Sequence, residues 1–246
     1  MNKKLNYRFE MKHKITEADV LALKSRLYPI MKKDENASKD GKYLIRSLYF
    51  DTPEDKALLD KLNGVAIREK FRIRFYNNDC SYIRLEKKIK HYNMTSKLST
   101  NLTKKEVINI LNNDIEFLKE STNCLLREFY LKLKCERLEA KSIVDYNREA
   151  FIYPVGNVRV TIDSDIKTSV NSVDLFNKDL PTVSVIDENM TVLEVKYDEF
   201  IPDFIKDLIQ INKTTSTAVS KYASSRLYIY CLLYTSDAAD DSLRVD

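Results

Sequence analysis

Glycine is scarce in this chain of 246 residues, which contains only Gly41, Gly64 and Gly156. A phosphate-binding P-loop and a dinucleotide-binding fingerprint each require several glycines close together, so the sequence excludes both motifs. Any recognition of phosphate must therefore come from side chains and not from a glycine-rich backbone loop.

Histidine and cysteine are also sparse, and their positions exclude most metal and thiol chemistry. His13 and His91 are the only histidines, and neither stands at the spacing of zinc ligands. Cys80, Cys124 and Cys135 form no C-x-x-C pair, so we predict reduced thiols in a cytoplasmic protein. A G-x-S-x-G nucleophile elbow is absent, so nothing in the sequence supports a covalent nucleophile.

Long apolar runs are missing as well. No run approaches the ~18–20 apolar residues that span a bilayer, so we predict no transmembrane segment. The basic residues near the start of the chain are not followed by the apolar stretch of a signal peptide. These absences favour a cytoplasmic location.

The end of the chain differs from the rest. Residues 231–246, "CLLYTSDAADDSLRVD", resemble the translation of a transposon-type sequencing-library adapter. We therefore predict one domain over residues 1–230 and a non-native segment over 231–246, with a natural acidic tail as the alternative. The segment holds four Asp and one Arg, so its removal changes the net charge from +4 to +7. A basic domain of this kind suggests an anionic partner.

Charged and apolar residues alternate regularly in several segments. In "REKFRIRFY" (68–76), a strand's two-residue period separates the cations from the apolar residues, with Arg68, Lys70, Arg72 and Arg74 opposite Phe71, Ile73 and Phe75. Neighbouring cations ~7 Å apart repel by about 0.6 kcal/mol in water and by about 2.4 kcal/mol at an effective dielectric near 20. Such a row is costly in an enclosed site unless an anion binds there.

The same alternation recurs in "YRFEMKHKI", "YIRLEKKI", "VRVTID" and "VLEVKY". Strands are predicted over roughly residues 5–15, 43–51, 66–77, 81–91, 141–153, 157–163 and 191–199. Helices are predicted from Thr16, Thr52-Pro53 and Thr103, over 114–133, after Pro202 and near Ser216. This order indicates an antiparallel α+β protein. Its charged faces either form an ordinary half-solvated sheet or, if the sheet closes on itself, surround a cavity that holds a polyanion.

The ordered motifs "FEMK", "RSLYFDT", "REKFRIRFY", "IRLEKKI", "YNREAF", "VRVTID", "VLEVK" and "VSKY" resemble the catalytic domain of vacuolar transporter chaperone (VTC) polyphosphate polymerases. That domain is one of the triphosphate tunnel metalloenzymes, which are relatives of the CYTH proteins. The resemblance extends from about residue 5 to residue 230. It implies an α+β fold in which an antiparallel β tunnel, a closed barrel-like sheet with flanking helices, binds a nucleoside triphosphate and a phosphate chain.

The resemblance and the strand pattern together assign the candidate site residues. Catalytic roles are predicted for Arg72, Arg74, Lys88 and Lys196. Substrate binding is predicted for Lys12, Arg68, Lys70, Lys97, Tyr146, Arg148, Arg159, Ser220 and Lys221. The implied cofactor is Mn²⁺ or Mg²⁺, with Glu194 as the family's metal ligand and with Glu10 and Glu86 as further candidates.

The implied function is a metal-dependent polyphosphate polymerase, which transfers the γ-phosphoryl group of ATP to a growing polyphosphate chain and releases ADP. One alternative is a triphosphatase or tripolyphosphatase of the same superfamily, with water as the acceptor. Arg8 stands where the E-x-E-x-K motif of the CYTH proteins has its first Glu, which weakens that alternative. The other alternative is a non-catalytic polyanion-binding module.

ATP and polyphosphate are the expected partners. Nucleic acid is not expected, because Glu10, Glu86 and Glu194 would repel its phosphates unless a metal bridged them. A separate membrane partner is compatible with the absence of a transmembrane segment.

Overall fold

The computed structural model of the protein describes residues 5–35, 37–38, 41–187, 190–211 and 219–241. Within these ranges ten strands form one antiparallel sheet. In chain order the strands are β1 (Arg8–Thr16), β2 (Lys32–Lys33), β3 (Lys42–Asp51), β4 (Ile67–Tyr76), β5 (Asp79–His91), β6 (Met94–Leu102), β7 (Glu139–Tyr153), β8 (Val158–Ser169), β9 (Thr182–Ser184) and β10 (Met190–Tyr197).

Eight of these strands close into a ring, because β7 pairs with β3 on one side and with β8 on the other. The order round the ring is β3, β4, β5, β6, β1, β10, β8 and β7, while β2 and β9 extend it at β7 and β8. The shortest junction within the ring joins β1 to β6, where Arg8 lies opposite Thr95 and Phe9 opposite Met94. The predicted antiparallel tunnel is confirmed.

The described residues contain seven α-helices. They are α1 (Glu17–Leu27), α2 (Lys56–Leu62), α3 (Lys104–Leu111), α4 (Glu116–Lys119), α5 (Cys124–Cys135), α6 (Asp203–Ile209) and α7 (Lys221–Asp241). Within this part of the chain, no helix combines the length and the apolar character that crossing a membrane requires. Thr16 and Thr103 form capping boxes with Asp19 and Glu106, so the predicted starts of α1 and α3 are confirmed.

One predicted helix is divided in two in the structure, and another was predicted to start outside the described residues. The single helix predicted over 114–133 is divided into α4 and α5, because the side chain of Asn123 accepts a hydrogen bond from the Leu125 N–H and begins a new helix. The helix predicted near Ser216 starts outside the described residues, and the described part of α7 begins at Lys221. Pro202 precedes α6, as predicted.

The two faces of the ring have opposite character. On the outer face, Leu48, Ile73 and Leu85 belong to a core cluster that packs with α3, α4 and α5. Val160 and Leu193 belong to a second outer cluster that packs with α1 and α6. The inner face carries the charged residues of β1, β4, β5, β8 and β10, as the two-residue alternation predicts, whereas β3 contributes uncharged residues such as Ser47 and Tyr49.

Strand β6 is the main error of the sequence-based prediction. Its sequence, "MTSKLSTNL", lacks the alternation of charged and apolar residues and therefore has no strand pattern. It is a strand because it pairs with β5 along nine positions, from Ile83 opposite Leu102 to His91 opposite Met94. Strand β8 also runs past its predicted end at residue 163 to Ser169, because its last residues pair with β7 and β9.

Helix α7 is fastened to the ring near its start. The Tyr222 hydroxyl donates a hydrogen bond to Asp51 Oδ2 at 2.6 Å. The hydroxyl oxygens of Ser225 and Ser142 are 3.0 Å apart, so these residues also share a hydrogen bond. Because Asp51 also accepts N–H groups from the first turn of α2, one carboxylate connects both helices to the end of β3.

Truncation after Tyr230 is expected to leave the melting temperature nearly unchanged. The described contacts that fasten α7, from Tyr222 to Arg226 and Tyr230, all precede the cut. The sequence of residues 231–246 also has no periodic apolar face. Calorimetry of both chains tests this. A fall of more than about 4 °C, which is roughly 1 kcal/mol for a domain of this size, would show that the removed segment packs on the fold.

Candidate active site

The inner face of the ring contains three clusters of carboxylates and cations. The first, which we call the Glu194 cluster, joins β1, β5 and β10. Lys12 Nζ lies 2.9 Å from Glu10 Oε1 and 3.0 Å from Glu194 Oε2. Lys88 Nζ is 2.6 Å from Glu10 Oε2, and Lys196 is ion-paired with Glu194. The antiparallel register of β1 and β10 brings them together, because Lys12 lies opposite Glu194 and Glu10 lies opposite Lys196.

The second cluster, the Glu86 cluster, surrounds a fully buried carboxylate of β5. Arg72 Nε donates to Glu86 Oε2 at 2.7 Å, and Lys97 Nζ donates to Oε1 at 2.8 Å. Arg74 Nη1 lies 3.6 Å from the same carboxylate. Burial by itself raises the pKa of Glu86, but these three cations hold it well below its ordinary value. Glu86 is therefore a carboxylate at neutral pH.

The third cluster, the Asp163 cluster, connects β7 and α7 to β8. Arg148 donates to both oxygens of Asp163, through Nε at 2.6 Å and Nη2 at 2.7 Å. Lys221 Nζ donates to Asp163 Oδ2 at 2.5 Å. Burial opposes ionisation of Asp163, but Arg148 and Lys221 outweigh it and lower the pKa of this carboxyl to about 2. The first residue of α7 thus forms part of the tunnel wall.

The three clusters leave the tunnel with an excess of positive charge. Eight cations are ion-paired with four carboxylates, so these residues alone carry a net charge of 8 − 4 = +4 when every lysine is protonated. Lys70 adds another cation. Its Nζ lies 3.3 Å from Ser220 Oγ and 4.9 Å from the centre of the Tyr222 ring, and it has no carboxylate partner in the described part of the chain. Such an interior attracts a polyanion.

The pKa values of two lysines reflect this crowding of positive charge. Burial and the nearby Arg68 lower the pKa of Lys70 to about 7. Burial also lowers the pKa of Lys88 to about 7, with Glu10 opposing the shift and Lys12 adding to it. A bound polyanion would favour the charged forms and raise both pKa values again.

Sequence reasoning missed two hydroxyl groups of β3 that contact the tunnel arginines. Arg72 Nη1 donates to the Tyr49 hydroxyl at 3.2 Å, and Arg74 Nε donates to Ser47 Oγ at 2.9 Å. Tyr146, which the sequence did predict, accepts from Arg74 Nη2 at 2.8 Å. The two-residue period of "RSLYFD" would have placed Ser47 and Tyr49 on one face, but neither carries a charge that marks that face as the inner one.

Two of the arginines predicted to bind substrate, Arg68 and Arg159, have their hydrogen-bond partners outside the three clusters. Arg68 Nη1 donates to the Val65 carbonyl at 2.5 Å. Arg159 Nη2 donates to Asp34 Oδ2 at 2.5 Å and to the Tyr43 hydroxyl at 2.9 Å. Their roles in substrate binding stay predictions.

Glu10 and Glu194 are the carboxylates best placed to hold a metal ion, because both contact the same ammonium group of Lys12. Mg²⁺ and Mn²⁺ prefer oxygen ligands, and Mg²⁺ typically takes one or two carboxylates with water and phosphate oxygens. This pair therefore fits such an ion. The described residues contain no group of three or more His, Cys, Asp or Glu that could hold a metal, so the metal roles of Glu194, Glu10 and Glu86 stay predictions.

The match to a known family covers almost the whole predicted domain, since the VTC domain family matches residues 7–230. The chain belongs to the VTC domain family. Among solved structures, a candidate adenylate cyclase from Bacillus halodurans is 13% identical with a TM-score of 0.52, and the match covers 88% of this chain and 97% of that one. The PH1819 protein from Pyrococcus horikoshii is 12% identical with a TM-score of 0.42, over 92% of this chain and 99% of that one. No curated protein matches the chain by sequence.

The family match confirms the resemblance seen in the motifs. The likeness to the Bacillus halodurans protein concerns the fold of this VTC domain, because 13% identity is too low to carry over an activity. The family and the tunnel fold together indicate an enzyme family with phosphate-related substrates.

The free energy of unfolding of the ligand-free VTC domain is expected to rise from pH 7 to pH 9 through Lys70 and Lys88. Below their folded-state pKa of about 7, both amines are protonated in the folded and the unfolded chain, so they add no pH dependence. Above it, the folded protein has lost protons that the unfolded chain keeps up to a pKa near ~10.4, so stability increases with pH.

Urea titrations at several pH values within this range measure the effect, with Lys70→Met as the matched variant. Its stability should rise less steeply with pH, because one of the two shifted amines is gone. A slope equal to that of the unmodified protein would contradict the role given to Lys70.

Proposed function

We propose that this VTC domain is a metal-dependent polyphosphate polymerase, which transfers the γ-phosphoryl group of ATP to the end of a polyphosphate chain and releases ADP. The observation that carries the proposal is the charge of the tunnel, where eight cations face four carboxylates. The excess charge favours a ligand with several negative charges, and a phosphate chain supplies one on each unit. ATP and polyphosphate are accordingly the proposed partners.

The proposed reaction depends on position and charge compensation. A terminal oxygen of the chain attacks the γ-phosphorus, and a new P–O bond forms. The bond from the γ-phosphorus to the β,γ-bridging oxygen breaks, so ADP leaves with that oxygen. The groups proposed to offset the charge of the transferred phosphoryl are Arg72, Arg74, Lys88 and Lys196.

The remaining tunnel residues are proposed to bind substrate and metal. Glu194 and Glu10 would hold Mn²⁺ or Mg²⁺, which when bound neutralises charge on the phosphates. Substrate phosphates would contact further residues that line the tunnel, namely Lys12, Lys70, Lys97, Tyr146 and Arg148 on the strands and Ser220 and Lys221 at the start of α7.

The ionisation of the tunnel carboxylates favours a phosphate acceptor over water. Although burial opposes it, neighbouring cations hold the pKa of Glu10, Glu86 and Glu194 below the ordinary range. These carboxylates are therefore weak bases at neutral pH and poorly suited to activate water. A terminal phosphate is already an anionic nucleophile and needs no such base, so the polymerase is favoured over the triphosphatase.

Incubation of the purified protein with ATP and Mn²⁺ tests the proposal. Long phosphate chains resolved by electrophoresis, together with ADP, are the expected products. Free phosphate as the only new phosphate species would instead identify a triphosphatase. ATP that is bound but not consumed would identify a non-catalytic polyanion-binding module.

Glu194→Gln should lose most of the Mn²⁺-dependent turnover, because the substitution removes one of the two carboxylates proposed to hold the ion. Metal-free tripolyphosphate should bind at least as well as before, because the tunnel loses a negative charge. Turnover assays at limiting Mn²⁺ and calorimetric titration with tripolyphosphate measure the two effects. Wild-type turnover in this variant would place the metal ligand elsewhere.

Arg74→Ala and Arg72→Ala should each weaken tripolyphosphate binding by about 1.5–3 kcal/mol, the range for hydrogen bonds to charged groups. Arg72→Ala should also lower the melting temperature more than Arg74→Ala does, because Arg72 is the closer partner of the buried Glu86. Lys132→Ala is the control, since this lysine pairs with Glu69 and Glu136 outside the clusters. Unchanged affinity in both arginine variants would contradict the phosphate assignment.

A further inference from the structure

Tyr49 lies on the inner face of β3, buried between a tunnel arginine and the first turn of α7. Its hydroxyl oxygen accepts a hydrogen bond from Arg72 Nη1 at 3.2 Å. Its ring stacks on Tyr222 with the ring centres 5.2 Å apart and the planes inclined by 29°. The side chain is therefore held in place on two sides, by a hydrogen bond and by a ring contact.

The hydroxyl proton of Tyr49 remains available for an acceptor. A phenol can accept one hydrogen bond and still donate its own proton, and an arginine can only donate. Within the described part of the chain, the Tyr49 hydroxyl makes no hydrogen bond besides the one from Arg72. The neighbouring Tyr222 differs, because its hydroxyl donates to Asp51 at 2.6 Å.

The surroundings of this hydroxyl favour negative charge. Burial alone raises the pKa of Tyr49, but Arg72, Arg74 and Lys221 together lower it below its ordinary value. In the other described tyrosines with a shifted pKa, the pKa is raised and not lowered; these are Tyr28, Tyr43, Tyr222 and Tyr230. Cations from β4 and α7 thus act together on the hydroxyl oxygen of Tyr49.

We infer that the Tyr49 hydroxyl donates a hydrogen bond to a non-bridging phosphate oxygen of the tunnel ligand. The cations near it supply charge compensation, and the hydroxyl supplies a donor of fixed direction. This inference rests on the proposed function, because it assumes that a phosphate chain occupies the tunnel. It adds a substrate-binding residue to the proposed site.

Tyr49→Phe removes the hydroxyl and keeps the ring that stacks on Tyr222. The dissociation constant for metal-free tripolyphosphate, measured by calorimetric titration, should increase about tenfold to a hundredfold, as for the loss of one hydrogen bond to a charged group. Tyr28→Phe is the matched control and should bind normally, because its hydroxyl is bonded to Glu149, away from the three clusters.

A second measurement separates a ligand contact from a merely structural role. The phenolate absorbance of Tyr49 is obtained as the difference between the unmodified protein and Tyr49→Phe during a pH titration. Tripolyphosphate should raise the pKa of Tyr49, since a phosphate oxygen that accepts its proton disfavours ionisation. Because the charge of a nearby polyanion also raises this pKa, the shift shows that Tyr49 lies beside the ligand, and the weaker binding of Tyr49→Phe then assigns the hydrogen bond. The absence of a shift would contradict the contact.

The outcomes distinguish this inference from the proposed function. If Arg74→Ala weakens tripolyphosphate binding while Tyr49→Phe binds normally, or while the pKa of Tyr49 in the unmodified protein does not respond to tripolyphosphate, the Tyr49 contact is wrong and the phosphate site stands. If the unmodified protein does not bind tripolyphosphate, both the proposed function and the Tyr49 contact are wrong.

Discussion

The pairing of β7 with β8 closes the ring, and the character of the interior depends on this closure. The charged faces of the strands then no longer lie against open water, and repulsion between neighbouring cations becomes several times stronger than on an exposed sheet. Arg72 and Arg74 lie two residues apart on β4, and Glu86 of the adjacent strand contacts both. The interior carboxylates are thus counter-ions built into the wall.

These counter-ions also prepare the tunnel for a ligand. Arg148 is held by two hydrogen bonds to Asp163, and Lys12 lies between two carboxylates, so both cations are oriented before any anion arrives. Ordering long side chains at the moment of binding would cost free energy, and this arrangement reduces that cost. Because the carboxylates offset only part of the positive charge, attraction for a polyanion remains.

Much of this organisation could be predicted from short-range patterns. The alternation in β4 and β10 assigned Arg72 and Glu194 to the inner face correctly, because a strand's side chains alternate between faces whatever the strand pairs with. Thr16 and Thr103 marked two helix starts, because a capping box involves residues only three apart. Strand β6 has no such pattern, so its existence and the placement of Lys97 on it depend on the neighbouring edge of β5.

The sequence by itself determined which residues share a face, where several helices begin, and that one face is strongly cationic. Only the tertiary structure decided which charges meet. Lys12 and Glu194 are 182 positions apart in the chain and lie opposite one another because β1 and β10 are neighbours in the ring. The contact of Tyr49 with Arg72 likewise depends on the register of β3 against β4. Local periodicity specifies the direction of a side chain, whereas its partner depends on strand order and register, which follow from packing of the whole chain.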